Sequence, residues 1–140
     1  MAGLRKIILL MVIIVGIFST KDMVFGEVLT PVATVINFYT ALQNGHFEQA
    51  YGYLSSKMKG NKTKEQWAVD TKNLFESGEV VILEFKVSPA KVEGDKAMVQ
   101  VWNRSKDILN PEGLVEYETD HLTQENGVWK IDETVVSTEK

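Results

Sequence analysis

The sequence predicts an α+β fold, with three helices in its first half and a four-stranded antiparallel sheet in its second. Three observations predict it. Apolar residues recur at helical spacing up to Phe75, and from Val80 onward the period drops to two. Helix-start signals (Thr30-Pro31 and Thr63-Lys64-Glu65-Gln66) precede the first and third apolar stripes. Turn sequences then separate the alternating runs, ending in Asn126-Gly127, the strongest short hairpin signal in the chain.

The first helix opens on Thr30 as N-cap, with Pro31 at the first helical position, where its missing N–H costs nothing. Val32, Val35, Ile36, Tyr39 and Leu42 form its apolar stripe, and Asn44-Gly45 stops it. A short second helix carries Phe47, Ala50, Tyr51 and Leu54 at i, i+3, i+4 and i+7. Ser55 to Asn61 is polar, contains Gly60 and reads as a loop. The third helix begins at the Thr63–Gln66 capping box, runs Trp67, Thr71, Leu74 and Phe75 along one side, and closes at Ser77-Gly78.

Val80 to Val87 is rich in β-branched residues and phenylalanine, and Ser88-Pro89 interrupts it. Val92-Glu93-Gly94-Asp95 reads as a turn. Beyond it Ala97, Val99 and Val101 alternate with Met98, Gln100 and Trp102. After the turn Asn110-Pro111-Glu112-Gly113, Leu114 to Gln124 makes a longer strand with Val115, Tyr117, Thr119 and His121 on one face. Val128 to Ile131 returns beside it.

The chain begins differently. Arg5 and Lys6 precede an uncharged run from Ile7 to Thr20 whose apolar heart is Ile7 to Phe18. This is the pattern of a secretory signal, since a spanning helix needs roughly 20 apolar residues. Residues 1–26 are therefore expected to be a signal peptide cut after Gly26, with retention as an uncleaved anchor through residues 7–20 as the alternative. The remaining 27–140 form one domain, long enough for a modest core. The chain has no cysteine, which excludes disulfides, thiolate ligands and attachment of a lipid to cysteine. Its net charge is −4, and losing Arg5, Lys6, Lys21 and Asp22 makes the domain more acidic still, a poor match to nucleic acid. The expected location is outside the cytoplasmic membrane: extracellular, periplasmic or anchored on its outer side.

Thr30-Pro31 leading into Val35-x-x-Phe38-Tyr39-x-Ala41-Leu42 resembles the opening of the nuclear transport factor 2-like (NTF2-like, cystatin-like) superfamily. So do Asn44-Gly45-x-Phe47-x-x-Ala50-Tyr51-x-x-Leu54-Ser55 and Glu125-Asn126-Gly127-x-Trp129-Lys130-Ile131. The nearest branch is similar to small exported bacterial domains described as lumazine-binding-like or of unknown function. The resemblance implies a curved sheet wrapped round the first helix as a cone, often with a pocket at the open end. It also implies pairing of copies through the outer face of the sheet. Relatives with activity include isomerases, dehydratases and cyclases that place Asp or His in the cone. Where such relatives carry Asp after the glycine ending helix one, this chain has His46.

The candidate ligand-binding residues are Tyr39, Tyr51, Trp67, Tyr117 and His121, with Tyr53 beside them. His121 can serve as a general base or a pH-sensitive donor, with Tyr117 on the same strand face. That face lines the cone if Val115 points inward, unless a bulge swaps the two faces. Asp120 has the opposite parity, so no His–Asp dyad forms on this strand. His46 and Asp70 read as solvated. Glu112, Glu116, Glu118, Asp120 and Glu125 read as an acidic outer face guarding the sheet. Lys57, Lys59, Lys62 and Lys64 read as a basic loop that could meet an anionic envelope surface. No metal-ligand spacing, nucleophile elbow or phosphate loop is present, and no cofactor is implied. The expected function is non-enzymatic binding of a small ligand or an envelope protein. The alternative is an isomerase- or dehydratase-like enzyme using His121 and Tyr117.

Overall fold

The computed structural model describes residues 28–137 and 139. The apolar segment Ile7 to Phe18 and the cleavage position after Gly26 lie outside the described residues. The order of elements is α1 (Pro31–Gln43), α2 (Phe47–Tyr51), α3 (Ser56–Lys59), α4 (Lys64–Ser77), β1 (Val81–Val87), β2 (Lys91–Glu93), β3 (Lys96–Lys106), β4 (Leu114–Glu125) and β5 (Val128–Ser137). The α+β segregation is as expected, with one more helix and one more strand than the sequence reading.

Both additions are short, and each has a local cause. The Ser55 side chain accepts from Met58 N at 3.2 Å and so caps a single turn, α3, which Gly60 ends at φ 57°. One turn is too short to show a period, so it read as a loop. β2 arises because Pro89 breaks the first edge strand without moving the chain off β3. Beyond the break, Lys91, Val92 and Glu93 pair with Met98, Ala97 and Lys96 on the same edge.

The sheet is antiparallel in the order β1-β3-β4-β5, with β2 also on β3. The β4–β5 hairpin turns at Asn126 and Gly127, both at positive φ (53° and 78°), as the Asn-Gly signal requires. The ladder shifts where His121 pairs with Glu133 but Leu122 pairs with Ile131. The extra residue is thus Asp132 on β5, and β4 keeps its alternation unbroken.

α1 starts as expected, with Thr30 Oγ1 accepting from Ala33 N at 3.1 Å. Its buried face is rotated from the expected stripe. Thr34, Val35, Phe38, Tyr39 and Ala41 are buried, while Ile36 is exposed. The capping box of α4 forms in both directions between Thr63 and Gln66. Leu74 does not join its buried side, being 70 % exposed, and Phe75 instead packs edge-on against Phe47 at 5.1 Å.

The core lies between α1 and the concave face of the sheet, built from Val35, Leu54, Val99, Val101, Leu122 and Ile131. The end of the helical layer is tied to β5 through the backbone. Ser55 N donates to Ile131 O, and Ile131 N donates to Tyr53 O, each at 2.8 Å. No helix among the described residues is long and apolar enough to cross a membrane.

Candidate functional site

The face assignment of β4 is the main correction to the sequence reading. Leu122 and Ala97 are register partners, as are Asp120 with Val99 and Glu118 with Val101, and all six are buried. The inward set of β4 therefore has the parity of Glu118, Asp120 and Leu122. The set Val115, Tyr117, Thr119 and His121 lies on the outer face. The supposed acidic guard of the sheet is partly its interior: Glu118 and Asp120 face α1, not solvent.

These two acids are accommodated by polar partners from three other elements. Tyr39 on α1 donates its hydroxyl to Glu118 Oε2. Asn103 on β3 donates Nδ2 to Glu118 Oε1 at 3.0 Å, and its Oδ1 accepts from Ser105 Oγ at 3.0 Å. Thr134 on β5 donates to Asp120 Oδ1 at 2.6 Å. Asp120 itself is 0 % exposed, and its Oδ2 has no partner. Such an oxygen is costly as part of a carboxylate, and burial followed by the neighbouring Glu118 charge pushes Asp120 up to about 6. The hydrogen bond from Thr134, then the nearby Tyr39 hydroxyl, pull the other way. Burial, then the charges of Asp120 and Glu118, drives the Tyr39 phenol well above the usual tyrosine range. Glu116, next inward along β4, is also raised, by burial first and then by Glu118 and Asp107.

The cluster can hold and pass a proton, but it is not an open site. Tyr39, Asn103, Glu118 and Asp120 are all buried, and of these only Glu118 lines any of four open grooves on the surface. The largest of these, about 670 Å³, lies beyond the C-terminal end of α1, with Leu42, Phe47, Phe75 and Val81 among its walls.

The five predicted ligand-binding residues fall in three places. Tyr39 is in the buried cluster. Tyr51 and Trp67 pack together between α2 and α4, with ring centroids 6.0 Å apart, and Tyr51 donates its hydroxyl to Lys62 O at 2.8 Å. Tyr117 and His121 lie on the outer face. Tyr117 lines a trough of about 510 Å³ there, with Trp102, Gln100, Thr119, Val135 and Lys86, and His121 does not line it. Trp102 and Tyr117 are register partners, and Lys86 Nζ sits 4.7 Å above the Trp102 ring.

His46 stands at the N-cap of α2 and makes no side-chain cap bond, so no side chain caps that helix. The basic loop is partly neutralised: Lys62 pairs with Asp70 at 2.7 Å, Lys64 with Glu48 at 3.9 Å, and Lys57 with Asp132 at 4.0 Å. Among the described residues no cluster of His, Cys, Asp or Glu could hold a metal ion.

No known protein family and no curated protein matches the chain. Solved structures do. A domain of unknown function with a cystatin-like fold from Nostoc punctiforme superposes with a TM-score of 0.59 at 16 % identity, covering 78 % of this chain and 75 % of that one. A ketosteroid isomerase-like protein from Erwinia carotovora gives 0.59 at 16 % identity, over 81 % of this chain and 97 % of that one. A proposed dehydratase of the NTF2-like family from Streptomyces avermitilis gives 0.53 at 16 % identity, over 74 % and 89 %. At such identities the likeness concerns the backbone path, and that path is shared: the chain has the cystatin-like fold of NTF2-like proteins.

Proposed function

We propose that this is an exported, non-enzymatic binding domain whose working surface is the outer face of its sheet. The observation that carries this reading is the contrast between the two faces. The concave face is filled by α1, and its buried carboxyl groups bond within the protein except for Asp120 Oδ2. The outer face presents a central strip of neutral side chains, Met98, Gln100, Trp102, Tyr117, Thr119 and Val135, with Lys86 over the Trp102 ring at its edge and His121 at one end. Half-buried aromatic side chains beside small polar ones are the composition of contact surfaces.

The occupant that fits this strip is a second copy of the chain. A two-fold axis along the strands sets the β3 side of one copy over the β5 side of the other and lays the neutral strips on each other. Because the chain has no native cysteine, the geometry can be tested with a single introduced one. Thr119→Cys, at the middle of the strip, is expected to give a disulfide-linked dimer under mild oxidation, whereas Glu65→Cys on α4 stays monomeric. Equal cross-linking at both positions would remove the support for this surface.

Export rests on the N-terminal pattern of two basic residues and a short apolar run. The mature protein is expected to begin at Glu27, as read by intact mass. A chain retaining Met1 to Gly26 at the membrane would instead make residues 7–20 an anchor. The enzymatic alternative keeps Tyr117 and His121 on one face, but that face is the outer one, and the trough there reaches Tyr117 alone. A binding surface accounts for this placement more simply than a general base does.

A further inference from the structure

The polar cluster between α1 and the sheet has an imbalance of donors. Glu118 receives two, from Tyr39 and Asn103. Asp120 receives one, from Thr134, and its second oxygen is buried with none. The groups facing this pair are few. α1 brings only Tyr39, β3 brings Asn103 and Ser105, β4 brings Glu116, and β5 brings Thr134. No lysine or arginine among the described residues pairs with Glu118 or Asp120. Two carboxyl groups therefore share a buried seam with no counter-charge.

One proton resolves the imbalance. The single hydroxyl proton of Tyr39 is given to Glu118, so the phenol oxygen keeps lone pairs free to accept. A neutral Asp120 could then donate from Oδ2 to Tyr39, continuing an unbroken line from Asp120 through Tyr39 to Glu118. Every donor in that line has an acceptor, and only one negative charge remains in the seam. When the proton leaves, Oδ2 becomes an unpartnered carboxylate oxygen and two like charges face one another across the foot of α1.

We propose that Asp120, Tyr39 and Glu118 form a one-proton latch, which holds α1 tightly against the sheet when Asp120 is neutral and loosens it when Asp120 ionises. The latch is set by burial of the pair and lies in the inner seam, so it acts independently of whatever occupies the outer face. The raised affinity of Asp120 for its proton, with a midpoint at about 6, places the change in mildly acidic solution.

The test uses the wild-type protein labelled with ¹³C and ¹⁵N and titrated from pH 4 to 8. The Asp120 carboxyl carbon is expected to titrate near 6. The exchange protection of the α1 amides around Tyr39, corrected for intrinsic exchange, is expected to fall over the same interval. In Asp120→Asn the protection stays constant, because an amide cannot ionise. A midpoint in the ordinary Asp range, or α1 protection that ignores the titration, would overturn the latch. Both readouts come from the wild-type chain, so a variant that failed to fold would leave the outcome decided.

Discussion

Ile131→Ala is expected to cost about 2–5 kcal/mol of folding stability, toward the upper part of that range. Ile131 is 0 % exposed and sits where three layers of contact meet. Its backbone accepts from Ser55 N and donates to Tyr53 O, and its register partner across β4 is Leu122. These backbone bonds hold the walls of the site apart. The space left by the missing side chain cannot close, and the cavity contributes to the loss along with the lost burial. Ile36→Ala makes the control, because it removes the same side chain from a position that the α1 apolar stripe predicts to be inward but that is exposed. Urea denaturation should show a loss below about 1 kcal/mol there. Similar losses for the two variants would contradict the placement of the core.

Asp120→Asn is expected to have the opposite sign and a dependence on pH. The folded protein holds the Asp120 proton up to about 6, against an ordinary value of 3.8. Below about pH 4 both folded and unfolded chains carry the proton, and Asp120 costs nothing. Between about 4 and 6 the unfolded chain releases its proton and the folded one retains it, so wild-type stability falls as pH rises. Above 6 the cost levels off at about 3 kcal/mol, the shift converted at 1.36 kcal/mol per pH unit. Asn has no proton to lose, and its amide can donate toward Tyr39. At pH 7 the variant should therefore be the more stable chain, with an advantage that shrinks toward zero by pH 4. A difference that stays flat across that range would show that Asp120 is not held against its ionisation.

Most of the scaffold is legible in the sequence because it is written in local chemistry. Thr30-Pro31, the Thr63–Gln66 box and Asn126-Gly127 each fix backbone geometry through groups a few residues apart, and each appears as expected. The site was not legible for a reason that β4 shows directly. Alternation marks two faces but does not say which one is inward. The more apolar set, with Val115 and Tyr117, is the natural choice for the interior, and the protein does the reverse. What makes the reversal tolerable lies far away in the chain: Tyr39, Asn103 and Thr134 supply the hydrogen bonds that let Glu118 and Asp120 be buried. One signal was present. Leu122 shares parity with both acids, and Ala97, Val99 and Val101 on β3 fix the inward parity of their register partners. The exposure of Ile36 and Leu74 has the same origin, since helical spacing predicts an apolar stripe and tertiary packing selects how it is rotated.

The outer face remains the part of the account with most bearing on function, and Trp102 is its largest side chain. The decisive measurement is sedimentation equilibrium of the wild-type protein beside Trp102→Glu and Thr119→Arg, each confirmed as folded by circular dichroism. Loss of a central aromatic contact typically weakens association by about 2 kcal/mol or more, roughly 30-fold. The wild type is expected to form a concentration-dependent dimer, and both variants to stay monomeric over the same range. A wild type that stays monomeric at every concentration, or variants that dimerise as it does, would contradict pairing through the outer face.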